Sequence, residues 1–432
     1  MNGTHVNGVV RIGMDDTDHV DHACTTEQFQ RLLSALGREI DHFQVVERRL
    51  VRLWPFAPTR TRGNAALSAV CELGVGAGDE GGAALSDVNR ICSDFMANLE
   101  VEIERDYPTS GARPDPCILV TTDPFPEQFY WDAVRCEVSL ENRYANLPDS
   151  TTIHSLNKLP KGLIGALAAI AWAPSPDSTW ELIAWREVGK ILTRREVSEV
   201  AIIEMTERFP GTFANRDPTT GRGMIMPRTN CPVLYGVRGE SEVEVDDAHR
   251  FLQDRYDVEK SASSAIHRTN QVSDDHLLGF RRGVVVSSPF EVQGGHSSVR
   301  VWDGESSRTL VAFSESGPVN RLLRRSRRGD EVDWMGLTSP SGEVHLERLR
   351  ITNSTPRITT RPFCCAKAMR SAGKGQGLRC TVCGSLQEKS WLSENLVLPT
   401  EFEGWVEPSP ANRRHLARPL ARGLPKPANS QD

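Results

Sequence analysis

Three aspartates crowd the end of one short apolar run: Val9 to Met14 leads directly into Asp15, Asp16, Thr17 and Asp18. The run reads as a buried strand, and its C-terminal end is where open α/β sheets seat their ligands. Strand alternation predicts Asp16 and Asp18 on one face and Asp15 on the other. Carboxylates this close repel one another unless a cation lies among them, and Mg²⁺ takes one or two carboxylate oxygens together with waters and substrate phosphates. A nucleotide-bound Mg²⁺ fits the set. Downstream, Thr25 with Gln28 three residues on has the spacing of a capping box. Its hydroxyl reads as a structural N-cap or as a phosphate-handling group at a helix N-terminus, and the two roles are compatible.

The elements that must position these residues follow in order. Phe29, Leu32, Leu33 and Leu36 recur at helical spacing, which predicts a helix from near Thr26 that stops at Gly37. A strand at Leu50–Leu53 leads to the basic turn Thr59-Arg60-Thr61-Arg62-Gly63-Asn64, where guanidinium and backbone N–H groups together suit a phosphate, or where the chain simply turns. Another apolar segment runs from Ala65 to Leu73, further strands are expected at 117–121 and 181–186, and helices at 84–105 and from Gly162 to Trp172. Lys161 and Gly162 open that last, very apolar helix, a start that can seat a phosphate or merely begin a core helix. Between Thr229 and Glu240, a proline turn, a short strand and a glycine-bounded turn follow one another.

At 432 residues the chain exceeds one ordinary core, so two to four domains are expected. No lysine precedes Lys158, which excludes a Walker-type phosphate loop from the first domain. The net charge is −6, but basic residues gather at 321–328 and in the tail at Arg413, Arg414, Arg418 and Arg422. No run reaches membrane-span length and no secretory pattern opens the chain, so a cytoplasmic protein is expected.

From Phe280 the texture changes to short alternating strands: 283–287, 298–302, 308–313, a helix at 319–325, then 331–336 and 344–351. Three strands, a helix and two strands is the order of an OB-fold, whose open face commonly binds single-stranded nucleic acid. Cys364, Cys365, Cys380 and Cys383 then form two knuckles, of which Cys380-Thr-Val-Cys383-Gly is a strong half-site for Zn²⁺. Adjacent Cys364 and Cys365 can both ligate one metal only with an unusual backbone; otherwise the site has three sulfurs or borrows a distant residue. Beyond Leu424 the composition predicts disorder.

Asp15-Asp16-Thr17-Asp18 with Cys24-Thr25-Thr26 resembles the kinase-like domain of the archaeal tRNA-isoleucine 2-agmatinylcytidine synthetase family. So do Thr61-Arg62-Gly63-Asn64, the Gly162–Ala169 segment, Cys231-Pro-Val-Leu-Tyr235-Gly236-Val-Arg238-Gly239, and Arg413-Arg414-His415-Leu416. Two positions depart from it: Gln271 stands for the histidine of a Thr-Asn-His block, and Pro362 for the first cysteine of the ribbon. The resemblance implies a multidomain α+β chain. Its parts would be a kinase-like α/β domain at 1–150, a ferredoxin-like domain at 151–277, an OB-fold at 278–352 and a zinc-ribbon-like domain at 353–432.

It also implies a reaction. ATP is hydrolysed to AMP and phosphate, the wobble cytidine carbonyl oxygen of an isoleucine tRNA is phosphorylated, and the amine of agmatine displaces it. Asp15, Asp16 and Asp18 would hold Mg²⁺, and Thr25 matches a threonine that becomes phosphorylated. Arg62, Gly63, Asn64, Lys161 and Gly162 would meet the nucleotide, while Asn230, Cys231, Tyr235, Gly236 and Arg238 would line the substrate cavity. A synthetase joining another amine to another RNA, and a non-catalytic RNA-binding relative, are the alternative readings.

Overall fold

The structure, a computed structural model, describes residues 8–18, 23–58, 60, 63–74, 82–106, 113–394 and 402–428. Two units divide the chain: Met1–Leu277 with Ser409–Pro419, and Leu278–Pro408 with Leu420–Asp432.

The first unit begins β1 (Gly8–Asp15), α1 (Thr25–Glu39), β2 (Phe43–Arg52), β3 (Ala65–Leu73), α2 (Gly82–Asp106), β4 (Cys117–Thr121), α3 (Gln128–Arg135) and α4 (Leu140–Ala145). It continues β5 (Thr152–Ser155), α5 (Gly162–Ala171), β6 (Thr179–Trp185), α6 (Glu199–Arg208), β7 (Thr212–Phe213), β8 (Val233–Gly239), α7 (Glu242–Asp254) and β9 (Ser263–Thr269). All nine strands form one sheet in the order β5-β4-β1-β3-β2-β9-β6-β8-β7. Every neighbouring pair in it whose register is given is antiparallel except β2 with β9, which join in parallel through Arg49–Arg268 and Leu50–Thr269.

Alternation along β1 explains the layers. Val10, Ile12 and Met14 are fully buried with Phe29, Leu32 and Leu36 of α1 and Val88 and Ile91 of α2. The opposite face of the sheet carries α5, whose Leu163, Ala166 and Leu167 pack with Val51, Ala66 and Leu119. A side chain at Gly13 would strike the Ala166 carbonyl at 2.6 Å, so glycine there lets helix and strand approach closely. α6 and α7 cover β6 and β8 in a separate core around Leu182, Ala201, Tyr235 and Val245.

The second unit holds β10 (Arg281–Val285), β11 (Phe290–Glu291), β12 (Ser297–Trp302), β13 (Ser307–Ala312), α8 (Pro318–Arg325), β14 (Glu331–Thr338) and β15 (Val344–Asn353). Their sheet runs β10-β14-β15-β13-β12-β11, and β10 also pairs with β12, which closes the strands around Val299, Leu310, Leu322, Trp334 and Leu349. After β16 (Ile358–Thr360) come the short ribbon strands β17 (Phe363–Cys364), β18 (Lys367–Ala368), β19 (Arg370–Ser371), β20 (Leu378–Arg379), β21 (Leu386–Gln387) and β22 (Leu392–Glu394).

Several expectations need correction. β1 ends at Asp15, and Asp16 has a left-handed φ of 58°, so strand alternation does not extend to Asp16 and Asp18. α1 runs through Gly37 to Glu39, because its buried stripe continues to Leu36 and Ile40 closes it. The tail is hydrogen bonded beyond Leu424: Phe280 N–H donates to Lys426 O and Ala428 N–H to Phe280 O. The last four residues, part of the expected disorder, lie outside the described residues. Among the described residues no helix is long and apolar enough to cross a membrane.

Candidate functional site

The acidic loop folds back onto the start of α1. Asp18 Oδ1 accepts from both Thr25 N–H (2.6 Å) and Thr25 Oγ1 (3.0 Å), while Thr17 N–H donates to Thr25 Oγ1 at 3.4 Å. The N-cap is therefore Cys24, whose side chain makes no cap bond, and Thr25 is the first helical residue. The capping-box expectation fails because a carboxylate from the preceding loop takes the Thr25 N–H that the Gln28 side chain would have to reach, and Gln28 instead accepts from Arg31 and donates to Glu102. The Thr25 hydroxyl is thereby free of a capping duty and aimed at Asp18.

Asp15 packs against α5 so closely that a Cβ on Gly165 would fall 1.9 Å from its Oδ2. Burial first, and then the charge of Asp16, push its carboxyl well above the usual range. Burial also raises Asp16 to about 6. A cation beside either carboxyl would favour its ionised form, but among the described residues the group of three or more candidate ligands gathered closely enough for a metal is the four cysteines of the second unit.

Asp115, which the sequence did not single out, ties this loop to α5. Its N–H donates to Asp16 Oδ2 (3.2 Å), its Oδ2 accepts from Lys161 N–H (3.0 Å), and its carbonyl accepts from Gly162 N–H (3.2 Å). Lys161 and Gly162 thus stand beside Asp16, and the Lys161 charge favours the ionised Asp16. Gly63 and Asn64 lie elsewhere, around Arg52: Arg52 Nη1 donates to Gly63 O at 2.7 Å, and Asn64 Nδ2 donates to Trp54 O at 2.8 Å. Arg62 lies outside the described residues.

A second cluster joins the two halves of the sheet. Glu181 on β6 is buried and pairs with Arg52 of β2 (3.2 Å) and Arg238 of β8 (3.0 Å). Burial opposes its charge, but Arg238 and Arg52 outweigh it and hold Glu181 at about 2. Gln271 donates to Glu181 Oε2 (2.5 Å) and accepts from Arg238 Nε (3.1 Å). Asn270 clasps the Arg52 peptide from both ends, its Oδ1 accepting at 2.7 Å and its Nδ2 donating at 2.9 Å. Gly236 faces this cluster: a Cβ there would meet Glu181 Oε1 at 2.8 Å.

The loop before β8 is wound around one guanidinium. Arg195 donates to the carbonyls of Pro227 (3.2 Å), Thr229 (3.0 Å), Cys231 (3.1 Å) and Val233 (2.8 Å). It fixes exposed Asn230 and buried Cys231. Tyr235 does not join them: strand alternation sends it to the α7 side, where its hydroxyl bonds His249 Nδ1 (2.9 Å) and Gln253 (2.7 Å). The cavity expectation at Tyr235 is corrected accordingly.

In the second unit Cys364, Cys365, Cys380 and Cys383 bring their sulfurs within 4.8 Å of one another. Cys364 Sγ lies 4.0 Å from Cys365 Sγ and 3.5 Å from Cys383 Sγ. A tetrahedral zinc with sulfurs about 2.3 Å away spaces them by about 3.8 Å, so the set fits. Cys365 and Ala366 both adopt left-handed φ, 49° and 58°, the unusual backbone that lets adjacent cysteines face one centre. Backbone N–H groups of Cys383 and Val382 hold the Cys380 thiol down to about 6, which favours the ligating thiolate.

Family models match this chain in order: the TiaS TCKD domain at 11–155, the TiaS FLD domain at 160–276 and the TiaS C-terminal zinc ribbon domain at 361–394. A tRNA-isoleucine 2-agmatinylcytidine synthetase from Archaeoglobus fulgidus is 31% identical over 435 residues, covering 96% of this chain and 97% of that one. The chain belongs to the TiaS family. Another TiaS, from Methanosarcina acetivorans, is also 31% identical, over 95% of this chain and 97% of its own. Among solved structures, the complex of TiaS with its isoleucine tRNA and ATP superposes with a TM-score of 0.78 at 29% identity, covering 96% of this chain and 98% of that one. A TiaS complex with tRNA, AMPCPP and agmatine gives 0.76 at 27% identity, covering 96% and 97%. The acidic loop and Thr25 fall within the TiaS TCKD match, and Glu181, Cys231 and Arg238 within the TiaS FLD match.

Proposed function

We propose that this chain is an ATP-dependent ligase that attaches agmatine to C2 of the wobble cytidine in a CAU-anticodon isoleucine tRNA, in the cytoplasm. The observation that carries this reading is the Asp18–Thr25 pair at the start of α1, in a chain that aligns with TiaS relatives almost end to end. A carboxylate accepting a hydroxyl proton at a helix N-terminus suits phosphoryl transfer: Asp18 takes the proton, and the helix end favours the phosphate formed on Thr25.

Asp15, Asp16 and Asp18 would hold Mg²⁺, which when bound neutralises phosphate charge. Lys161 and Gly162 stand near Asp16 and would meet the nucleotide, as would Arg62, Gly63 and Asn64. Once the cytidine O2 carries a phosphoryl group, the agmatine nitrogen bonds to C2, the C2–O2 bond breaks, phosphate leaves with the electron pair and the nitrogen sheds a proton. Asn230, Cys231, Gly236 and Arg238 would line the cavity for this second step. Residues 1–150 would form the kinase-like domain, 151–277 the ferredoxin-like domain, 278–352 an OB-fold that grips tRNA, and 353–432 the ribbon domain with Zn²⁺ on its four cysteines.

Gln271 keeps both a donor and an acceptor engaged with Glu181 and Arg238, so the loss of the family histidine leaves the network closed and does not favour a different amine. The test is incorporation of radiolabelled agmatine into the tRNA with ATP and Mg²⁺. Label that needs ATP and vanishes in Asp16→Ala supports the reading; no label, with ATP still hydrolysed on adding bulk RNA, refutes it.

A further inference from the structure

One motif has no part in this scheme: Arg413-Arg414-His415-Leu416. After the second unit the chain returns to the first, and residues 409–419 lie across it as a strap. Leu416 is buried in the core beneath α5. Alongside, Val272 N–H donates to His415 O (2.9 Å), Asp274 N–H to Leu416 O (2.9 Å), and Arg418 N–H to Asp274 Oδ1 (2.7 Å).

The turn so held is an uncomfortable one. Val272 and Asp274 both have left-handed φ, 52° and 68°, and a β-branched residue seldom adopts that conformation unless its surroundings impose it. Immediately before it stands Gln271, which closes the Arg52–Glu181–Arg238 cluster. The strap therefore fixes the turn that sets this cluster.

His415 as a residue is exposed, in contrast to Leu416 beside it. It lies close enough to Arg52, Arg238 and Glu181 for their charges to act on it. The charge of Arg52, then loss of solvation around the ring, then the charge of Arg238 outweigh the opposing pull of Glu181 and push its proton affinity well down, so the imidazole is neutral.

We propose that the strap completes the substrate cavity and that His415 touches the substrate, accepting a hydrogen bond through a ring nitrogen from a substrate N–H. Two N–H donors share this chemistry, the attacking amine and the exocyclic amino group of the target base. A neutral ring offers a lone pair to either, whereas a charged one would repel the ammonium form of the amine. The inference rests on the synthetase reading above.

The experiment compares His415→Ala, His415→Gln and the wild type for KM of agmatine, KM of tRNA, KM of ATP and kcat, with melting curves alongside. His415→Ala is expected to raise one KM at least tenfold with ATP unaffected and the melting temperature unmoved, and His415→Gln, which keeps an acceptor, to recover most of the loss. A rise confined to agmatine assigns the amine; a rise confined to tRNA assigns the base. Unchanged constants, or a loss that tracks the melting temperature and is not rescued by Gln, overturn the proposal. A second readout needs no turnover: the ¹³C resonance of the His415 ring, assigned through the Gln variant, should shift on adding agmatine alone or a CAU stem-loop alone. If the wild type fails to label tRNA, the synthetase reading falls, and a ring resonance indifferent to both ligands removes the contact as well.

Discussion

A single carboxylate oxygen of Asp18 receives both the peptide N–H and the hydroxyl of Thr25. The first bond stabilises the helix start and the second orients a nucleophile, so Asp18→Asn separates them. Rate is expected to fall roughly 10²–10⁴-fold, as for loss of a general base. Stability should fall by only about 1 kcal/mol, as for a weakened cap. Single-turnover kinetics beside urea melts would read both, and a rate unchanged by the variant would remove Asp18 from proton transfer.

Asp16 gives the pH dependence. Only its ionised form holds a cation, and burial sets its midpoint at about 6. Mg²⁺ affinity should be full above that pH and fall roughly tenfold per unit below it. The linkage to folding has the opposite sign: a carboxyl raised in the folded state contributes stability below the ordinary carboxylate range, lost as pH rises through about 6. Calorimetric Mg²⁺ titrations across this range would show a flat profile if Asp16 is not a ligand.

Gly165→Ala places a methyl 1.9 Å from Asp15 Oδ2 and cannot be accommodated without moving that carboxylate. ATP turnover should drop by more than tenfold although alanine is the better helix former. Wild-type turnover in this variant would show that the position of Asp15 is not critical.

Glu181→Gln removes the one carboxylate between Arg52 and Arg238. Buried Arg52 and half-buried Arg238 then lack this counter-charge, which is expected to cost about 3–5 kcal/mol. Equilibrium denaturation gives the number, and a loss below about 1 kcal/mol would mean that water already reaches the pair.

Cys364→Ser tests the ribbon. The wild type should carry zinc by mass spectrometry of metals, and the variant should lose it and bind tRNA more weakly while retaining ATP binding. Full zinc content after the substitution would mean that Cys364 is not a ligand.

Much of this was legible in the sequence where one residue pattern admits one physical solution. The strand at 117–121 appears where an apolar run predicted it, and Cys380-x-x-Cys383 faces a common centre with the other two cysteines. What the sequence hid depends on partners far away in the chain. Asp115 is an ordinary loop aspartate until Lys161 and Gly162 fold onto it, and Glu181 looks like a polar residue in a strand until Arg52 and Arg238 arrive from other strands. Asp16 escaped the alternation rule because its left-handed backbone is a property of the loop and not of the residue type. The one cheap signal for Tyr235 was parity: counted against Gly236 and Arg238, it had to face the other way.

The return of residues 409–419 also bears on how the first unit is assembled. They follow the whole of the second unit in the chain and yet belong to the first, and Leu416 among them is part of its buried core. The first unit is therefore not one continuous stretch of sequence: a fragment cut at the boundary near residue 277 lacks a piece of its own interior, so a truncation designed on sequence order alone would expose apolar surface that the intact chain covers.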